Sequence, residues 1–320
     1  MPQSSGLIRV GTRGSRLALW QAERVASSLR SRHPELDVAI VPIESHGDRH
    51  DAQAVADLGV VGIFTREIEQ ALLENRVDVA VHSLKDMPTL APPGLEVAAL
   101  LPRDDPRDVL VASALAGHPL SGGVEAIEAL PRGARIATSS LRRRAELLRH
   151  RPDLQVIELR GNVPTRIGKV ERGEVDGVVL SHAGLLRLGL EPSGRVALDP
   201  EVMLPAPAQG TIAIQIRSAD TATRTRVALL DDRATRVCTT AERYLLAELE
   251  GGCRVPLGAL ARLDNDQVTL RARIATVDGT QVLDDMVTGP ADNIAALAKT
   301  LAAALRARGA LGILATLRVR

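Results

Sequence analysis

Aromatic side chains are almost missing: the 320 residues include one Trp, one Tyr and one Phe. Apolar residues still make up 45% of the chain, so its cores must be aliphatic. Cysteine is also scarce. Cys238 and Cys253 cannot build a disulfide framework and suit a reducing cytosol. No apolar run reaches membrane-spanning length, and Met1 to Gly6 is short, polar and without a signal-peptide core. A soluble, cytoplasmic chain without a membrane partner is expected. Excess charge is absent too. Lys+Arg 40 against Asp+Glu 39 leaves a net charge of +1, which argues against a nucleic-acid partner held by bulk basicity. The chain has no Walker A loop, no G-x-G-x-x-G after a strand, no H-E-x-x-H and no Ser-His-Asp order. His46 and His50 sit in a Gly-Asp loop, and no metal site is expected.

What is present begins as alternating strands and helices. Leu7 to Gly11 reads as a strand, Thr12-Arg13-Gly14-Ser15 as a turn with Ser15 as N-cap, and Ala18, Ala22, Val25, Ala26 and Leu29 as one helix face. Asp37 to Ile43 is the next strand, residues 44 to 62 a long loop, and a helix from about Phe64 buries Ile68, Leu72 and Leu73. Asp78 to Val81 is a short buried strand ending in His82-Ser83-Leu84-Lys85-Asp86-Met87-Pro88. This alternation predicts a parallel sheet with ligands beyond the carboxyl ends of its strands, where Arg13, Ser15, Lys85 and Asp86 fall.

The pattern then recurs. Ala137 to Arg142 matches Gly11 to Arg16, Arg151 to Val156 matches His33 to Val38, and Val175 to Ser181 matches Val77 to Ser83, in the same order. Two similar α/β lobes facing each other are expected. Lobe 1 takes residues 1–103 with 208–229, and lobe 2 takes 104–207. Leu204 to Gly210 is a stiff connector back to lobe 1. Residues 230–320 form a smaller α+β domain, with a hairpin at Asp278-Gly279 and a helical stripe of Ile294, Leu297, Leu301 and Leu305.

Three constellations carry chemistry. In Glu250-Gly251-Gly252-Cys253-Arg254-Val255-Pro256, two glycines open space before a thiol and a cation follows it. Such a cysteine reads either as a reactive or modified thiolate or as a small buried hydrophobe. Arg142, Arg143 and Arg144 open a helix after Thr138, Ser139 and Ser140, while Arg160 and Arg166 bracket Gly161 to Thr165. Positive charge sits badly at a helix N-terminus unless an anion lies there, so this is an anion site or a solvated basic face. Asp86 is either an interior carboxylate facing a ligand or half of a surface pair with Lys85. Facing a cation at about 4 Å in an effective dielectric of about 20, it would contribute roughly 4 kcal/mol.

Together and in order, Val81 to Pro88, Thr138 to Arg143, Leu159-Arg160-Gly161-Asn162-Val163 and Glu250 to Cys253 resemble the porphobilinogen deaminase family, also called hydroxymethylbilane synthase, from about Ile8 to Gly258. The resemblance implies two lobes of the periplasmic-binding-protein kind (type II) plus a third domain. It implies a dipyrromethane cofactor joined by a thioether to Cys253. It implies a reaction that links four porphobilinogens head to tail on that primer, releasing ammonia and then hydroxymethylbilane, early in haem and other tetrapyrrole synthesis. By motif position, Arg13, Ser15, Arg142, Arg143, Arg160 and Arg166 would bind the acetate and propionate groups, and Ser83, Lys85, Thr138, Ser139 and Ser140 would help seat the cofactor. Asp86 matches the catalytic acid that assists protonation of the departing amine and steadies the cationic azafulvene. A monomer is expected. Phe64 would lie in a lid, where Asp57 and Val61 replace usual lysines and Arg49 or Arg66 are the nearby cations; Gln215 replaces a usual acid. Two alternatives are a two-lobed anion-binding protein without catalysis and a regulatory effector domain. The first has no need for Asp86 or Cys253 where they stand, and no DNA-binding segment accompanies the second.

Overall fold

The computed structural model describes residues 6–44, 65–118, 120–249 and 255–315. Asp57, Val61, Phe64, Arg49, His46, His50 and Cys253 therefore lie outside the described residues. The chain runs β1 (Leu7–Arg13), α1 (Arg16–Arg32), β2 (Asp37–Ile43), α2 (Arg66–Leu73), β3 (Val79–Ser83) and β4 (Leu95–Leu100). There follow β5 (Asp108–Ala112), α3 (Glu125–Glu128), β6 (Arg135–Ala137), α4 (Leu141–His150), β7 (Gln155–Ile157), α5 (Val163–Glu171), β8 (Gly177–Ser181), α6 (His182–Leu188) and β9 (Arg195–Leu198). Then come β10 (Ile212–Arg217), α7 (Thr221–Ala228), α8 (Arg233–Glu248), β11 (Leu257–Asp264), β12 (Gln267–Ala275), β13 (Val282–Pro290), α9 (Ile294–Ala307) and α10 (Ala310–Ala315).

Two five-stranded sheets have the same order, β2-β1-β3-β10-β4 and β7-β6-β8-β5-β9. In the first, β1 runs parallel to β2 and β3, and β10 antiparallel to β3 and β4. In the second, β6 runs parallel to β7 and β8, and β5 antiparallel to β8 and β9. The expected all-parallel sheet is thus corrected to a mixed one in each lobe. The reason is topological. The three parallel strands are joined through helices, as crossovers require. β5 and β10 are instead the first strands laid down after the chain leaves one lobe for the other, so no crossover fixes their direction. The repeated sequence matches fall on equivalent places: the ends of β1 and β6, the approaches to β2 and β7, and the strands β3 and β8.

One compact unit takes the chain up to Arg103 and again Thr211–Arg236; the other takes Asp104–Gly210 with Val237–Arg320. The first unit packs α1 through Ala22, Val25, Ala26 and Leu29 against Ile8, Val10, Val79, Val81 and Ile214. Aliphatic branches on the strands fill this core. The second unit holds the second sheet and the antiparallel sheet β11-β12-β13. On that smaller sheet α9 buries Leu297, Leu301 and Leu305. The hairpin turn expected at Asp278-Gly279 is present. Gly279 has φ +74, and a Cβ there would stand 2.7 Å from the Ala145 carbonyl of α4. Only glycine allows both the turn and this approach.

Charge is buried where the second unit needs it. Asp108, at the start of β5, has no exposed side-chain area and pairs with Arg142 at 2.6 Å and Arg143 at 2.7 Å. Arg142 also donates to the Leu204 carbonyl, Arg143 to the Val179 carbonyl, and Gln209 to Asp108. Burial alone would raise the Asp108 carboxyl; the two guanidinium charges outweigh it and hold the group well below the usual carboxylate range. Its stabilising contribution is therefore present above the unfolded value near pH 4 and is lost only as pH falls through the lower folded value. Asp108→Asn would leave two buried cations short of a counter-charge and lower stability by about 3–5 kcal/mol. Urea unfolding followed by circular dichroism measures this, and an unchanged midpoint would contradict it.

Candidate active site

β3 is an aliphatic strand buried through His82, and it opens into a turn, Leu84–Asp86. Two apolar side chains pin that turn, Leu84 and Met87, both buried. The Leu84 amide donates to the Thr211 carbonyl at 3.0 Å and the Met87 amide to the Leu84 carbonyl at 3.2 Å. With Leu84 and Met87 turned inward, the intervening Lys85 and Asp86 are turned out. Asp86 is exposed rather than interior, which corrects one of its two sequence readings. No described residue pairs with its carboxylate, which leaves the reading as a surface pair with Lys85 without support.

Asp86 stands at a small open cavity that also takes in Arg13, Ser15, Gln21, His82 and Ser83. Leu17, Ile68 and Val81 supply apolar wall. β1 ends at Arg13, and Ser15 caps α1 by accepting from the Ala18 amide at 3.3 Å, so the turn presents both residues at the cavity. Gln21 is 2% exposed and donates to the Ser83 hydroxyl at 2.8 Å. The sequence reading passed over Gln21, although an amide beside Ala22 in an apolar helical stripe is itself a signal.

In the second unit the corresponding turn leads from β6 into α4. Ser140 caps α4 by accepting from the Arg143 amide, Ser139 donates to the Leu159 carbonyl at 2.6 Å, and Thr138 accepts from the Ser140 amide at 3.2 Å. These three hydroxyls therefore build the turn. Arg142 and Arg143 point back to Asp108, at 4% and 7% exposure. Arg160 is exposed, and Glu158 stands 3.9 Å from it. Arg166 is half-buried and donates to the Gly161 carbonyl at 2.7 Å. Burial pushes its guanidinium pKa down, and the like charge of Arg143 adds to the effect. Gly161 holds φ +112 and Asn162 caps α5 on the Thr165 amide at 2.9 Å, which fixes Arg160 on the loop before α5 and Arg166 in its first turn. A cation raised in free energy by burial and by a like charge, with no carboxylate bonded to it among the described residues, suits an anion. Arg187 was also missed: it is buried and reaches Asp104 at 2.7 Å and the Gly210 carbonyl at 2.7 Å.

The profile described as "Porphobilinogen deaminase, dipyromethane cofactor binding domain" matches residues 8–225, and that described as "Porphobilinogen deaminase, C-terminal domain" matches 236–307. The chain belongs to the porphobilinogen deaminase family. It is 44% identical to the porphobilinogen deaminase of Syntrophotalea carbinolica over 98% of this chain and 97% of that one. It is 45% identical to that of Desulforudis audaxviator, with 97% of each chain covered. Among solved structures, the BenM effector-binding domain with benzoate aligns over 70% of this chain and 88% of its own, at 20% identity and a TM-score of 0.42. The periplasmic aliphatic sulphonate binding protein SsuA from Escherichia coli aligns over 76% of this chain and 70% of its own, at 17% identity and a TM-score of 0.39.

In this member of the family the arginines divide by their surroundings. Arg142→Ala or Arg143→Ala removes one partner of a buried pair and should cost about 3 kcal/mol or more in stability. Arg160→Ala and Arg166→Ala should change stability by roughly 0.5 kcal/mol or less while lowering turnover. Thermal melts read beside steady-state rates test this division. Equal melting losses at all four positions would contradict it.

Proposed function

We propose that this chain joins four porphobilinogen molecules head to tail into hydroxymethylbilane, an early step of tetrapyrrole synthesis. The observation that carries the reading is the Asp86 carboxylate, unpaired among the described residues, at a polar cavity beyond the end of β3 in a member of this family.

The dipyrromethane group that the family profile names is a pair of pyrroles with carboxylate arms. The residues present fit such a group. Arg13 and the capped turn at Ser15 offer a cation and hydroxyl for a carboxylate, Ser83 and Lys85 lie beside the same strand end, and Leu17, Ile68 and Val81 suit the face of a ring. Arg160 and Arg166 offer further cations in the second unit. Cys253 is the attachment point by motif, through a thioether. When bound, the group supplies a pyrrole with a free α-carbon as the first acceptor.

The chain's own residues then act on porphobilinogen. Its aminomethyl arm leaves as ammonia once the nitrogen is protonated, and the C–N bonding pair departs with the nitrogen. Positive charge is left on the methylene carbon and is shared with the ring nitrogen. Asp86 assists that protonation and holds the charge that develops. A contact of about 4 Å at an effective dielectric of about 20 contributes roughly 4 kcal/mol, on the order of a thousandfold in rate if it is felt only in the transition state. The free α-carbon that the bound group supplies would take that methylene carbon in a new C–C bond and give up its own proton, so that the ring is restored. Arg13, Arg160 and Arg166 hold carboxylates throughout. Among the described residues no helix is long and apolar enough to cross a membrane; we read the enzyme as a cytoplasmic monomer.

Asp86→Asn tests the assignment. Incubated with porphobilinogen and assayed for linear tetrapyrrole, it should lose on the order of a thousandfold in turnover, with its melting temperature kept. A near-normal rate would overturn the role of Asp86. No tetrapyrrole from the unaltered protein would favour an anion-binding protein without catalysis.

A further inference from the structure

Within the second unit, the antiparallel sheet β11-β12-β13 is fastened along two lines. The first is the segment 204–210. Ala259 of β11 donates its amide to the Pro205 carbonyl at 2.9 Å. Glu242 of α8, with no exposed area, accepts from the Ala208 amide at 2.6 Å and from the Ala261 amide of β11 at 2.8 Å. Attachment along one extended segment alone would leave a pivot about it.

The second line is α4, and one side chain makes most of it. Arg273 of β12 is 4% exposed. Its Nη1 donates to both carboxylate oxygens of Glu146 on α4, each at 3.1 Å. Its Nε donates to Asp284 of β13 at 2.6 Å, and its Nη2 to the Glu201 carbonyl at 3.1 Å. Glu146 is 2% exposed and also accepts from Arg149 at 3.1 Å. Arg271 adds two bonds to Asp284, at 2.9 and 3.0 Å. Burial would raise the Asp284 carboxyl; the bonds and charges of Arg271 and Arg273 outweigh it and hold the group below its usual range. Apolar contact at such a seam can slide. A buried ion pair cannot, because any slip strands a charge away from water.

We propose that Glu146 and Arg273 are positioning residues that lock the sheet β11-β12-β13 on α4 in a single register, so that the domain carrying Cys253 and the helix carrying Arg166 form one rigid body. The consequence for turnover rests on the proposed reaction: the point of attachment and the carboxylate binders of the second unit then stay together while pyrroles are added. The locked register itself is independent of that reading.

The test is a distance distribution in the full-length protein, beside steady-state rates with porphobilinogen. Spin labels are attached through non-natural side chains at two exposed positions, Glu171 at the end of α5 and Met286 of β13. The unaltered protein should give one narrow distance, unchanged after brief exposure to porphobilinogen. Glu146→Leu combined with Arg273→Met leaves no lone buried charge and should melt near the parent. Its distance should nonetheless broaden, and kcat should fall about tenfold with KM little changed. A pair that served stability alone would move neither readout in that variant. Should the double variant not fold, Glu146→Gln is read in its place by the same criteria. A broad distance in the unaltered protein, or one that shifts with porphobilinogen, overturns the proposal. So does a variant that keeps the parent's narrow distance, or one with a broadened distance and the parent's kcat. Should the unaltered protein make no tetrapyrrole, the reaction fails as a reading while the distances still decide the register.

Discussion

A strand covered on both faces by aliphatic side chains tolerates a charge only where it ends or where counter-charges come with it. Both solutions occur in this protein. β3 keeps Val79 to Val81 apolar and places Asp86 three residues beyond its last residue, exposed at a cavity. β5 starts with a carboxylate that has no exposed area, Asp108, and two guanidinium groups stand within 2.7 Å of it. One carboxylate stays exposed and unpaired among the described residues; the other is consumed by the fold. With one Trp, one Tyr and one Phe in the chain, the sheets depend on branched aliphatics, and that dependence drives polar work to the strand ends.

The two five-stranded sheets share one strand order yet have divided the labour. Ser83-Leu84-Lys85-Asp86 after β3 corresponds to Ser181-His182-Ala183-Gly184 after β8. The acid and its lysine exist only in the first. In the turn before the first helix, Ser15 and Ser140 both cap, but the following residues differ. α1 continues with Gln21 toward Ser83, whereas α4 turns Arg142 and Arg143 inward to Asp108. The second unit brings Arg160 on the loop before α5 and Arg166 in the first turn of α5, both fixed by Gly161 and Asn162. A repeated scaffold thus carries an exposed carboxylate after β3 in one copy and an exposed and a half-buried guanidinium, Arg160 and Arg166, in the other.

Much of this was legible in the residues. The internal matches located β1, β3, β6 and β8, and the motif Val81 to Pro88 located the turn that carries Asp86. Sheet direction was not legible, because β5 and β10 are local in sequence to a crossing rather than to a helix, and a short apolar run looks the same in either direction. β11 was missed because Leu257-Gly258-Ala259-Leu260-Ala261 has small residues in place of β-branched ones. The inward turn of Arg142 and Arg143 was hidden because Asp108, their partner, lies more than thirty residues away in sequence. A run of arginines at a helix start reads as outward until that partner is in view. Gln21 and Gln215, amides inside apolar patterns, were signals that periodicity alone gives no means to interpret.

The account turns on a polyanionic pyrrole chain growing from a primer held by this polypeptide. Intact mass spectrometry of the native protein and of Cys253→Ser measures that directly. The native protein should weigh more than its amino acids by a two-pyrrole group, gain further pyrrole units on brief exposure to porphobilinogen, and lose every such addition in Cys253→Ser. A native protein with the bare mass of its sequence, before and after porphobilinogen, would contradict the account.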